Sequence, residues 1–197
     1  MLQYFISSSN AKEVISAATS ALDNGCRWIR LDLNELDQAE IESIVKLLQE
    51  KCNSFEAFLS LENDVENVAK MKVAGVHLGQ DNKNAAVDAR KQLGEEPIIG
   101  ITVNEASDVP FIPRTAIDYV AVKSDNLDTC RKVVQQMKAT GLEEPVIAPY
   151  SHITPLKSLI DTGVNGIVVH HSNTPTTMLQ KLLKELNTLV EQRLEEL

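Results

Sequence analysis

The segment Gly75-Val76-His77-Leu78 is a short strand-like run whose pattern recurs three more times along the chain. The other copies cover residues 28–31, 119–122 and 166–169, and the second residues of successive copies are 47, 44 and 47 positions apart. Each interval has room for two strand–helix units, so the four copies predict eight such units. Eight alternating units are the content of a (β/α)₈ barrel.

The apolar pattern between these copies supports the same architecture, because short β-branched runs alternate with longer amphipathic stretches. We predict strands at 3–7, 27–33, 54–60, 73–78, 97–102, 117–122, 145–148 and 166–170, and helices at 11–22, 38–51, 64–71, 84–93, 127–140, 155–161 and 176–197. Asn10, Asp37 and Thr154 are predicted helix N-caps. Regular alternation implies parallel pairing, and eight units favour one (β/α)₈ TIM barrel over residues 1–197 rather than an open doubly wound sheet.

Two features qualify this pattern. Pro110 and Pro113 predict a short or absent helix in the fifth unit, since proline disrupts a helix interior. The terminal helix carries a broad apolar stripe, which is consistent either with barrel core or with a homodimer contact. The stripe consists of Leu179, Leu182, Leu183, Leu186, Leu189 and Val190.

Composition excludes several classes of protein. The 197 residues are 43% hydrophobic and carry a formal charge of −9, without the Lys/Arg cluster that a nucleic-acid partner requires. No window approaches the ~18 apolar residues of a membrane span. Cys26, Cys52 and Cys130 lack CxxC spacing, so we expect neither a disulfide framework nor a zinc site, and a cytoplasmic protein.

Strand periodicity selects candidate catalytic residues. Residues two apart on a strand share a face, and the active sites of this fold lie at the carboxyl ends of the strands. On the even-numbered strands this rule places Asp32, Lys123 and His170 in the top layer of the lumen, and we predict that they act as acids and bases. The alternative for charges deeper in the lumen is mutual neutralisation, as between Arg30 and Asp32.

Two polar loops follow the third and fourth predicted strands and indicate a cation site. Carboxylate and amide oxygens are the ligands of hard cations such as magnesium. The candidate ligands are Glu62, Asn63, Asp64, Asp81 and Asn82. The alternative is that Asp64 and Asn82 cap the helices that follow them.

The segment Ala74-Gly75-Val76-His77-Leu78-Gly79-Gln80-Asp81 resembles the fourth-strand motif of the thiamine phosphate synthase family, and further segments follow the family's order over most of the chain. The resemblance implies a compact (β/α)₈ barrel in thiamine biosynthesis. It also implies a transferase that joins a pyrimidine pyrophosphate to a thiazole phosphate with magnesium. Residues expected to bind this small-molecule ligand are Arg30, His77, Gln80, Asn104, Tyr150 and His152.

The chain departs from the family pattern at several motifs. Residues 30–34 read RLDLN where the family has a QLREK-like strand, and residues 149–152 read PYSH where the family has a Gly-Gly pair. Lys123-Ser124 leads into a helix where the family has a Thr-x-Thr-Lys loop. Asn104 replaces the histidine of the related TenI-like thiazole tautomerases.

These departures leave two hypotheses. One is a synthase-like transferase or tautomerase-like isomerase with a rearranged site. The other is a non-catalytic descendant that binds a ligand or a partner protein. Acidic residues outnumber basic residues six to three among the predicted mouth positions, which favours a cationic ligand. The acids counted are Asp32, Glu62, Asp64, Asp81, Glu105 and Asp125, and the bases are Arg30, Lys83 and Lys123.

Overall fold

The chain folds into a closed barrel of eight parallel strands in sequential order, with β1 hydrogen-bonded to β8. The computed structural model describes residues 1–79 and 85–195. The predicted (β/α)₈ TIM barrel is therefore confirmed.

The observed elements follow the predicted order. The strands are β1 Leu2–Ser7, β2 Trp28–Asp32, β3 Phe58–Glu62, β4 Gly75–Leu78, β5 Ile98–Val103, β6 Tyr119–Val122, β7 Val146–Pro149 and β8 Gly166–His170. The helices are α1 Ala11–Asp23, α2 Gln38–Ser54, α3 Val65–Met71, α4 Ala86–Leu93, α5 Leu127–Ala139, α6 Leu156–Ile160 and α7 Leu179–Glu195. The largest boundary error is at β3, where the prediction began at residue 54 although α2 continues through Ser54.

The helix starts show which predicted caps are used. The side chain of Asn10 accepts hydrogen bonds from the backbone N–H groups of Lys12 and Glu13. Asp37 forms a reciprocal capping box with Glu40. The Thr154 prediction is wrong, because α6 begins after Pro155 and has no side-chain cap. Proline at this position presets the backbone for a helix start without a capping oxygen.

The fifth unit has the short helix that its prolines predict. Residues Ala106–Phe111 form a 3₁₀ helix that includes Pro110, and residues 104–118, all of which the structure describes, contain no α-helix. A second 3₁₀ turn, Thr176–Met178, leads into α7.

The main core lies between the outer face of the barrel and the helices. Leu179, Leu182 and Leu186 of α7 are buried there, and the other stripe residues pack against it partly buried. The stripe therefore forms barrel core. The three cysteines are buried thiols, and burial is the main cause that raises the pKa of each to about 11.

A smaller apolar cluster fills the lower lumen. Tyr119, Ala121, Ile147 and Val168 form its buried centre, with Met1, Phe5, Trp28 and Ile98 packed around them. Because this cluster closes the lower lumen, any site in the barrel must lie above it. Within the described part of the chain we find no helix whose length and apolar content would allow it to span a bilayer.

Candidate functional site

A pocket of about 380 Å³ lies at the carboxyl ends of the strands, above the apolar cluster of the lower lumen. Its described lining residues are Arg30, Thr102, Ala121, Val122, Lys123, Pro149, Val168 and His170. Of the predicted top layer, Lys123 and His170 line the pocket and Asp32 is not among its described lining residues, whereas Arg30, predicted one layer deeper, does line it. Trp28 lies lower in the lumen, where its indole N–H donates to Ser60 Oγ at 3.1 Å.

Arg30 is held by a buried ion pair with Glu62. The Arg30 Nε and Nη2 groups both donate to Glu62 Oε2, each at 2.6 Å. The Arg30 guanidinium also lies over the Phe5 ring, 4.8 Å from its centroid. Burial raises the pKa of Glu62, and the neighbouring Arg30 charge opposes that rise.

The alternative in which Asp32 neutralises Arg30 is therefore wrong, because Glu62 takes that place. Register explains the difference, because Arg30 pairs with Ser60 on β3 and Glu62 lies one step further along the same face. Asp32 lies at the rim, where it accepts hydrogen bonds from Ser7 Oγ at 3.3 Å and Asn34 Nδ2 at 2.8 Å. It is not among the described pocket-lining residues.

Lys123 and His170 supply the remaining ionisable side chains of the described lining. Lys123 is an exposed side chain at the end of β6, and its backbone N–H donates to the carbonyl of Val103. His170 packs edge-on against Phe5 with ring centroids 4.7 Å apart. Burial, with a smaller contribution from the Arg30 charge, lowers the pKa of His170, so its imidazole is neutral at pH 7.

His77 lies below the pocket floor in a chain of side-chain hydrogen bonds. Its Nδ1 is 2.7 Å from the Tyr119 hydroxyl, and its Nε2 is 2.8 Å from Thr102 Oγ1. Burial, reinforced by the Arg30 charge, lowers the pKa of His77 well below 6.5. His77 thus reaches the pocket only through Thr102.

The described cation-site candidates serve other contacts. Glu62 binds Arg30, Asn63 Oδ1 accepts from the Gly79 N–H at 2.7 Å, and Asp64 caps α3 by accepting from Asn67 N at 3.0 Å. The capping alternative for Asp64 is confirmed. Among residues 1–79 and 85–195 no group of three His, Cys, Asp or Glu side chains is arranged to hold a metal. Gln80, Asp81, Asn82 and Lys83 lie outside the described residues.

Besides His77, three further predicted ligand-binding residues are not among the described lining, namely Asn104, Tyr150 and His152. Tyr150 packs against the main core and stacks edge-on against His152 at 4.6 Å. The His152 Nε2 is 2.8 Å from Thr174 Oγ1. The Asn104 N–H donates to Asp108 Oδ2 at 2.8 Å, which fixes the turn after β5.

The electrostatics of the pocket differ from the expected preference for a cation. Arg30, Lys123 and His170 line it, whereas no carboxylate does among the described lining residues. The count of acids did not predict the charge of the lining, because each described acid is bound to another group. Asp125, for example, accepts a hydrogen bond from Ser151 Oγ at 2.5 Å. A wall of this composition suits an anionic ligand.

Reasoning from the sequence missed Thr102 on β5, which lines the pocket, and Phe5 on β1, whose ring packs against Arg30 and His170 of the lining. The period-two rule was applied only to even-numbered strands, on which the internal repeat set the register. Extending the same alternation to β1 and β5 would have placed both residues in the lumen.

Comparisons with known proteins agree with this architecture. A family model described as thiamine monophosphate synthase matches residues 3–173. The thiamine-phosphate synthase of Bacteroides thetaiotaomicron is 34% identical over 184 residues, covering 85% of this chain and 87% of its own length. That of Bacteroides fragilis is 31% identical over 182 residues, covering 85% and 89%.

A solved structure shows the same fold. Thiamine phosphate pyrophosphorylase from Pyrococcus furiosus superposes with a TM-score of 0.78 at 20% identity, covering 95% of this chain and 96% of its own.

Proposed function

This chain belongs to the thiamine monophosphate synthase family, and from that premise we propose that it binds a thiazole or pyrimidine phosphate of thiamine biosynthesis in the mouth pocket. The observation that carries the proposal is the described lining, which has three nitrogen bases and no carboxylate. The volume of about 380 Å³ lies within the ~300–1,000 Å³ typical of small-molecule sites.

Synthase chemistry is the first form of the proposal. The thiazole nitrogen attacks the methylene carbon of the pyrimidine diphosphate, the carbon–oxygen bond breaks, and pyrophosphate leaves with the bonding electron pair. Lys123 is placed to bind a phosphate oxygen, and its charge stabilises the departing anion. Neutral His170 lines the pocket together with Arg30 and contributes a ring nitrogen to its wall. Asp32 at the rim is the third candidate catalytic residue.

Magnesium is the expected counter-ion for a diphosphate, but the described residues do not make up its site. We therefore assign no step to a metal, and the assay compares reactions with and without added magnesium. The proposal also places the protein in a reducing cytoplasm, which suits its three unpaired cysteines.

The second form of the proposal is ligand binding without synthase turnover, and the two residues at the carboxyl end of β7, Pro149 and Tyr150, favour it. Pro149 lines the pocket and has no backbone N–H, while the Tyr150 N–H donates to the Val168 carbonyl at 2.9 Å. Neither amide is therefore available to a phosphate at this edge. A tautomerase-like reaction would require a base, for which His170 is the candidate.

The test is incubation with thiazole phosphate and pyrimidine diphosphate, followed by detection of thiamine phosphate. Calorimetry with each precursor runs in parallel. Product formation supports the synthase form, and binding without product supports the second. Proton exchange on a thiazole carboxylate phosphate that disappears in His170→Ala supports the tautomerase version. If neither precursor binds, the proposal is rejected.

Lys123→Ala is the diagnostic variant. Loss of one charge-assisted contact predicts that affinity for the bound precursor falls roughly 10-fold or more. Lys132→Ala is the matched control, because Lys132 pairs with Asp128 on the exposed face of α5 and does not line the pocket. Equal affinities of the two variants would contradict the assigned role of Lys123.

A further inference from the structure

A largely apolar recess of about 550 Å³ lies at the amino-terminal end of the barrel, opposite the mouth pocket. Its floor includes Phe58 and Ile98, the first residues of β3 and β5, and its walls include the ends of α3 and α4. These two helices have only seven and eight residues. Phe58 and Ala74 remain exposed in the recess, so this end of the barrel has an apolar surface that the chain itself does not cover.

Phe58 is a preformed aromatic anchor in this surface. The residue is 47% exposed, although a phenylalanine ring gains much of its stabilising effect from burial. Its ring packs against Trp28 with centroids 5.6 Å apart, and Trp28 belongs to the apolar cluster of the lower lumen. A ring that is already held in place loses little conformational entropy when a partner covers it, and such rings are typical interface hot spots.

The described lining of the recess has one basic and one acidic side chain. Lys72 directly follows α3, whereas Glu96 lies between α4 and β5, so the two charges belong to different walls. Both residues are exposed, and no salt bridge within residues 1–79 and 85–195 includes either of them. A surface with a projecting ring, an apolar recess and both signs of charge can complement a second copy of itself across a two-fold axis.

We propose that this end of the barrel is the interface of a two-fold symmetric homodimer of this chain. The Phe58 ring of each copy enters the recess of the other copy, and Lys72 of each copy pairs with Glu96 of the other. Such an interface is closed, so association stops at two chains. Both mouth pockets stay open, because they lie at the opposite ends of the barrels. The inference is independent of the ligand that the mouth pocket binds.

Other exposed apolar side chains lack this combination of features. Ile153 is 87% exposed, but the recess beside it is lined by two aspartates and an arginine. Phe111 is 76% exposed on the 3₁₀ helix after β5 and is not part of the lining described above. Phe111 therefore provides a matched control for Phe58, since both are exposed phenylalanines of the same chain.

Sedimentation equilibrium of the full chain tests the proposal. We expect a reversible equilibrium between one and two chains. Phe58→Asp should weaken association about 30-fold or more, because the loss of an anchor acts twice across a two-fold interface. Phe111→Asp should associate as the wild type does. Circular dichroism checks the fold of each variant, and Phe58→Ser replaces the aspartate variant if that variant does not fold.

Charge reversal tests how the two copies face each other. Lys72→Glu and Glu96→Lys should each weaken association about 5- to 10-fold, because like charges then meet across the interface. The variant with both substitutions restores opposite charges and should return to within about 3-fold of the wild-type affinity. Failure of this restoration would overturn the pairing of Lys72 with Glu96.

Three results would overturn the dimer itself. The first is a wild type that stays monomeric near ~1 mM chain, a concentration at which even weak association is detected; the recess would then serve a different occupant. The second is a folded Phe58→Asp variant that dimerises as tightly as the wild type. The third is assembly beyond two chains, which a closed interface does not allow.

Discussion

The Arg30–Glu62 ion pair shows how burial changes the effect that loss of one partner has on stability. Its side chains are 9% and 11% exposed, whereas those of the Lys70–Glu42 pair, with the same 2.6 Å separation, are 57% and 42% exposed. Solvent screens the outer pair, and such pairs contribute little to stability. Removal of one partner of a buried pair leaves an uncompensated charge, which is strongly unfavourable.

Glu62→Gln is therefore expected to lower the free energy of unfolding by about 3 kcal/mol, since buried Arg30 loses its counter-charge. Glu42→Gln, the control, should leave the free energy of unfolding nearly unchanged, because solvent screens the exposed Lys70–Glu42 pair. Urea unfolding followed by circular dichroism measures both. Similar small effects in the two variants would show that water or another group compensates Arg30.

Only some of the individual residues of the candidate site could be predicted from the sequence. Alternation along single strands correctly placed Arg30, Lys123 and His170 on the lumen face. The partner of Arg30 and the chain from His77 to Thr102 depend on inter-strand register, which one strand's pattern does not contain. The described lining holds no carboxylate and so gives no support to the expected preference for a cation, because residue counts do not show which acids are already bound.

At the scale of elements, the capping residues account for both the accuracy and the errors of the predicted boundaries. Asp37 supplies a strong local signal and α2 begins after it as predicted. The end of α2 has no comparable signal, and the helix runs past Lys51 to Ser54 before the chain turns into β3. Helix ends without caps depend on packing, so local sequence places them less accurately.

Asp37→Ala should destabilise the protein by about 1 kcal/mol, because the first-turn N–H of Glu40 loses its acceptor. Thr154→Ala should have an effect near zero, since Thr154 does not cap α6. Thermal unfolding of both variants at one pH measures the difference. A Thr154→Ala effect as large as that of Asp37→Ala would contradict the observed start of α6.

At the scale of the whole molecule, the number and order of elements were predictable because the eight units repeat, and sequential strands close into a barrel. Closure also buries polar groups inside the lumen, and His77 is the histidine most affected. Its pKa is lowered well below 6.5, so the folded chain excludes a proton that the unfolded chain accepts.

This difference sets the sign of the pH dependence of stability. Below pH 6.5 the unfolded state binds more protons than the folded state, so the free energy of unfolding falls as the pH falls. The slope that His77 contributes approaches about 1.4 kcal/mol per pH unit, and His170 acts in the same direction. Urea titrations from pH 7.5 to 5.5 should show a smaller slope in His77→Gln than in the wild type. Equal slopes would mean that His77 takes up a proton inside the folded barrel.

The three cysteines lie in different parts of the barrel, so alkylation of each thiol can report the local opening of its own segment. Cys26 precedes β2, Cys52 lies near the end of α2, and Cys130 lies in the first turn of α5. Each thiol is buried and has a pKa of about 11. Almost no thiolate is therefore present at neutral pH, and alkylation of the folded protein is slow. Modification therefore requires the surrounding segment to open. The order in which the three sites are alkylated should thus record the order in which three parts of the barrel come apart.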